Sequence, residues 1–213
     1  MNTDKIHVDE DGGNIESILQ ESDRLCEYEK YGPKDSMRLR LLAEETVGLV
    51  KGIAGEFDAY IWFEGDKKEC RVCVRGRTEM TLSKHDELMA MSFSGKNTLA
   101  KGLLGKLREV VELTFMSPGD IQNNVVLNYG SVPAFSESFS ADTTMAFQML
   151  QSNVWSLKQY RESLFDEKEG DDDAALAWDE LEKSVIGNLA DDVQIGINNG
   201  TVEITVIRKL ENK

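Results

Sequence analysis

The sequence predicts an α+β fold, a two-layer sandwich in which a mixed or antiparallel sheet carries helices on one face. Three observations predict it. Runs with helical apolar spacing are interspersed with runs that alternate apolar and polar residues. Two pairs of alternating runs flank turn-forming residues: "GDKK" at 65–68, and Asn198-Asn199-Gly200, the strongest hairpin signal present. Finally, 213 residues of which 40% are hydrophobic suffice for one large core.

Residues 1–13 have no apolar period and read as a flexible lead-in to a single domain over 14–213. After Asn14, a capping residue type, "IESILQESDRLCEYEKYG" sets Ile15, Ile18, Leu19, Leu25 and Tyr28 near helical spacing, and "YGP" stops it. Asp35 or Ser36 can cap the next helix, "RLRLLAEETVGLVKGIAG" at 38–55, whose end Gly52 and Gly55 mark. The period then switches to two over 58–64 and 69–75, a hairpin. A short helix is expected at 84–92, a Gly-approached helix at about 98–114 and a strand at 123–131. Residues 140–165 read as helical, "AALAWDELEKSVIGNL" as another helix, and 192–210 as the closing hairpin. Between those helices, residues 166–173 place six acids in eight positions, an exposed connection. No internal repeat is evident.

The formal net charge is −15, from 24 Lys+Arg against 39 Asp+Glu. Such a surface repels phosphate backbones and anionic membranes, so neither nucleic acid nor membrane is an expected partner. No apolar run approaches a membrane span, the N-terminus is too acidic for a signal peptide, and three cysteines argue against a disulfide framework. These features describe a soluble cytoplasmic protein.

Several familiar motifs fail on spacing. Cys70 and Cys73 are three apart in an alternating run and so face opposite sides of a strand, where they neither bridge nor share a metal; no metal site is expected. Gly95-Lys96 lacks the phosphate-loop partners, whose places hold Ala90 and Asn97. A calcium loop from Asp9 would need Glu at its twelfth place and has Gln20. His7 and His85 form no dyad with a cysteine, and His85–Asp86 with some serine is a minor hydrolytic alternative. Trp62, Trp155 and Trp178 suit core or half-buried anchors.

The second helix carries the remaining signal. At 100° per residue, Leu39, Leu42, Ala43, Thr46, Leu49, Val50 and Ile53 form its apolar arc, with Arg40, Glu44 and Lys51 opposite. Glu45 borders the arc in line with Leu41, Gly48 and Gly52, and each glycine costs a helix roughly 1 kcal/mol against alanine. The strip suits either a ligand groove or close packing of a neighbouring element.

"LLAEETVGLV", then the hairpin "VCVRGRT", then "KNTLAKGLLGKLREVV" resemble in order the three motifs of the GHKL (Bergerat-fold) ATPases. The branches most similar are the anti-sigma-factor serine kinases and histidine-kinase ATP domains. The resemblance covers about 14–114 and implies a Bergerat-like sandwich, with the helices of about 141–190 inserted before the last hairpin. It implies Glu45 as general base beside Gly48, with Leu49 where the family has its magnesium-binding Asn. It places Val74 where an Asp reads adenine, followed by Gly76 and Thr78. Lys101, Gly102, Gly105 and Lys106 would lie under the phosphates. Leucine cannot coordinate magnesium, and valine cannot accept from an adenine amine. The implied function is therefore a degenerate, regulatory or protein-binding module of bacterial-type signalling without ATP turnover. No cofactor is expected, and ATP or ADP with magnesium is the alternative, in an active enzyme of that family. An unrelated acidic α+β protein is the third reading.

Overall fold

A computed structural model describes residues 1–8, 14–53, 57–78, 155–170, 172–198 and 201–211. The elements expected at 84–92, 98–114 and 123–131, and the first part of the helix expected at 140–165, lie outside the described residues. Six antiparallel strands form one sheet, and five helices belong to the described part of the chain. In chain order these are β1 (Ile6–Val8), α1 (Ile15–Glu29), α2 (Pro33–Ile53), β2 (Phe57–Gly65), β3 (Glu69–Thr78), β4 (Trp155–Ser156), α3 (Leu157–Glu167), α4 (Asp172–Lys183), α5 (Val185–Leu189), β5 (Asp192–Asn198) and β6 (Thr201–Lys209). The α+β sandwich is thus observed, and every described strand pair is antiparallel.

The N-terminal residues depart from the expected flexible lead-in. Ile6–Val8 pairs with Ala59–Ile61, and Thr3 exchanges hydrogen bonds with Phe63 through its amide and its hydroxyl. Three residues are too few to show a period, so only the pairing reveals β1. Helix α1 stops at Glu29, three residues before Gly32: Lys30 takes the left-handed conformation at φ 58°, and the Tyr31 amide returns to the Cys26 carbonyl at 2.9 Å. Helix α2 starts at Pro33, earlier than a cap at Asp35 or Ser36 allows. Proline suits the first helical position because its missing N–H would be unpaired there anyway. Leu39, Leu42, Ala43, Thr46, Leu49 and Val50 are all buried, as the expected arc requires, and Val47 joins them. The Thr46 hydroxyl donates to the Leu42 carbonyl at 2.6 Å, which satisfies it inside the core.

The β2–β3 turn is built by Asp66, whose carboxylate accepts from the amides of Lys68 at 2.7 Å and Glu69 at 3.1 Å. Gly65 leaves room for the Tyr31 hydroxyl, which donates to the Asp66 carbonyl at 2.9 Å; a Cβ there would strike that hydroxyl. The start of α2 is thereby latched to the hairpin.

The second half differs from its expected long helices. Trp155–Ser156 is a strand on β5, and Ser156 caps α3. The next helix breaks at Ser184, whose hydroxyl oxygen accepts from the Gly187 amide at 3.1 Å and starts α5. The acidic run is shared: Asp166 and Glu167 end α3, Lys168–Gly170 turn, and Asp172 begins α4. It does connect two helices.

The strand order β1-β2-β3-β6-β5-β4 contains a repeat that the residues conceal. Each half runs strand, helices, strand, strand, and the halves meet at β3–β6. Adding 132 to the first hairpin's numbers reproduces the second's register: Ile61↔Val74 becomes Val193↔Val206, and Phe63↔Val72 becomes Ile195↔Ile204. The same shift turns Cys73 into Thr205, its partner across β3–β6, so a pseudo-two-fold axis passes through that pair. Because 132 is even, inward positions stay inward: these eight hairpin residues are all buried in one core with the helices. Residues 155–189 repeat the order, strand then helices, that β1, α1 and α2 have in the first half, and they fall within the stretch of about 141–190 expected as a helical insertion before the last hairpin.

Candidate functional site

Of the ATPase-like motif positions, Glu45, Gly48, Leu49, Val74, Gly76 and Thr78 are described. Glu45 is exposed on α2, in line with exposed Leu41 and Gly48. A Cβ at Gly48 would meet nothing within 4 Å, so the glycine makes no close approach among the described residues. Leu49, by contrast, is only 7% exposed, and Val74 only 1%; both belong to the apolar core. Gly76 is buried in the sheet between Ala59 and Val202, while Thr78 ends β3 opposite Phe57. Lys101, Gly102, Gly105 and Lys106, like His85, lie outside the described residues. Positions that would touch magnesium and adenine thus sit among aliphatic side chains, where an ion or a polar ring has no oxygen to meet.

A cleft of about 540 Å³ opens between β4, α3 and β5 and is lined by Ser156, Lys158, Gln159, Glu162, Asp192 and Gln194. Asp192 anchors it, accepting from the Ser156 hydroxyl at 2.9 Å, the Lys158 amide at 3.0 Å and the Gln194 amide group at 3.0 Å. A carboxylate so engaged secures the start of α3, and a serine that donates to it needs a base before it can attack a carbonyl. No histidine lines this cleft. His7 is at the other edge of the sheet, its Nε2 2.7 Å from Asp58 and its ring 5.3 Å from that of Tyr60. Fifty-one residues separate His7 from Asp58, so strand pairing alone brings them together.

Cys70 and Cys73 lie on opposite faces of β3, as their spacing requires. Cys70 packs in the core, whereas Cys73 faces Thr205 on the other side. Burial pushes both thiols up to about 12. About one thiol in ten thousand is then ionised at pH 8, and the thiolate is the nucleophile. Ellman's reagent should therefore leave both unmodified over minutes in the native protein and titrate them on denaturation. Native labelling of Cys73 at the rate of a free thiol would contradict its burial.

A second cluster holds Glu211, whose carboxylate accepts from Arg38 at 2.9 Å and Lys34 at 3.1 Å, with Arg208 at 4.0 Å. Hydrogen bonds from Arg38 and then Lys34 lower its pKa from 4.5 to about 2. A lowered carboxylate stabilises the fold above its unfolded value, and that contribution fades as pH falls from about 4.5 towards 2. Glu211→Gln should accordingly lower Tm at pH 7 and have little effect at pH 2. Equal losses at both would refute the ion-pair account.

Among the described residues, six of the seven exposed large apolar side chains lie on helices: Tyr28 on α1, Met37 and Leu41 on α2, Phe165 on α3, Leu176 on α4 and Val185 on α5; the seventh, Tyr60, is on β2. Phe165 meets half-buried Trp178 edge-on, with ring centroids 5.6 Å apart. The Lys168 ammonium lies 4.2 Å from each ring centre. Trp62 and Trp155 are half-buried as well, Trp62 donating to Glu64 at 2.8 Å.

No family model, curated protein or solved structure matches the chain. Among the described residues, no group of three or more metal-ligating side chains occurs, and no helix is long and apolar enough to cross a membrane.

Proposed function

We propose that this chain is a non-catalytic, cytoplasmic regulatory module that binds another protein, a GHKL-like domain whose nucleotide-reading positions have become core positions. The helical layer carries this reading. Six large apolar side chains on α1 to α5 stay exposed although the chain buries an extensive core beneath them. Exposed apolar side chains carried mainly by the helices suit a protein partner. The burial of Leu49 and Val74 supports the absence of turnover, since neither position offers oxygen to magnesium or adenine.

The competing reading is an active ATP-binding enzyme, and exposed Glu45 is the one described position that leaves it a general base. An ATP hydrolysis assay separates the two. No turnover is expected from the wild type, and Glu45→Gln should leave that baseline unchanged. Turnover that disappears in Glu45→Gln would replace the binding module with the enzyme.

A further inference from the structure

We propose that the α3–α4 hairpin docks a basic peptide segment of a partner protein, whose arginine or lysine side chain takes the place against Phe165 and Trp178 that Lys168 holds. The proposal rests on the protein-binding reading and names the chemistry of the partner. The ring pair is itself a cation seat: the Lys168 ammonium is 4.2 Å from both centroids, within the range over which an aromatic face attracts positive charge. Phe165 is 57% exposed, so a second molecule can reach the seat from solvent.

Charge argues for the same partner. Residues 162–182 contain ten Asp and Glu, and Lys168 is the only Lys or Arg among them. Lys168 nevertheless forms no ion pair with a described carboxylate and lies against the rings instead. So acid-rich a segment draws in external cations and repels a phosphate backbone. An arginine is the better occupant, because its flat, weakly hydrated guanidinium stacks on a ring and still offers N–H donors to nearby carboxylates.

The test uses the full chain and a fluorescent heptapeptide, Gly-Arg-Gly-Arg-Gly-Arg-Gly, beside its citrulline counterpart, which keeps the shape and loses the charge. Binding is read by anisotropy at about 0.1 M salt, where long-range attraction is screened beyond about 10 Å. The arginine peptide should bind and the citrulline peptide should not. Phe165→Ala should weaken binding about 2- to 5-fold, the size of an exposed cation–aromatic contact. Lys168→Gln should tighten it, because the internal competitor and a like charge are both removed. Tm values matching the wild type would verify that the variants fold, as the exposure of Phe165 leads one to expect.

No binding of the arginine peptide overturns the proposal. So does binding that is unchanged in Phe165→Ala, or weakened in Lys168→Gln, since attraction would then be diffuse or Lys168 a mere prop. The hydrolysis assay decides the module reading separately: a failed peptide titration with no ATP turnover removes only the basic partner.

Discussion

Phe63→Ala is expected to cost about 3–5 kcal/mol, the range for deleting a buried aromatic ring, because Phe63 is fully buried and its removal leaves a cavity that a sheet cannot collapse. Its pseudo-symmetric counterpart Ile195, equally enclosed, should cost about 2–5 kcal/mol as Ile195→Ala. Both variants should unfold in one transition, since β3 and β6 join the halves through nine residue pairs of a single sheet. Chemical denaturation followed by far-UV circular dichroism and by tryptophan fluorescence checks this. Two separated transitions, one per variant, would mean that the halves are independent units rather than one sandwich.

Val74→Asp is the second large effect, and it sets the motif resemblance against the core. In the resembled family, this change would restore the acidic adenine ligand. In this structure it puts a carboxylate between Ile61 and Ile204, its partners on β2 and β6, at a position 1% exposed. An uncompensated buried charge costs about 3–5 kcal/mol, enough to unfold a marginal domain. Burial would raise the new carboxyl's pKa, so the loss should grow as pH rises from about 4 to 8 and shrink on acidification. A stable Val74→Asp protein that gains ATP affinity would show that the residue borders a nucleotide cleft.

Periodicity made much of the fold legible. The arc of α2 is buried as its spacing requires, and both hairpins fall where alternation and turn residues place them. What escaped was carried by pairing rather than by residue identity. Ile61 matches Val193 and Phe63 matches Ile195 in apolar character alone, so the two-fold repeat appears only in the strand register. Trp155–Ser156 reads as helix because it abuts α3, yet Ser156 is the cap that begins that helix. Ser184 likewise looks like an interior helical residue until its hydroxyl is seen capping α5. The ring pair was half legible: Phe165 and Lys168 are three apart, but Trp178 is brought to them by the turn between helices. For Glu45, helical geometry located the strip correctly at the edge of the arc, and burial then separated it from Leu49 and Val74.

The most direct test of a binding module without a nucleotide site is the wild-type melting curve with and without 1 mM ATP and magnesium. A ligand at a hundred times its Kd stabilises by about 2.7 kcal/mol, which for a chain of this size raises Tm by about 5–10 °C. The core positions of Leu49 and Val74 predict no shift. A rise of several degrees with ATP and magnesium, absent with magnesium alone, would contradict the account.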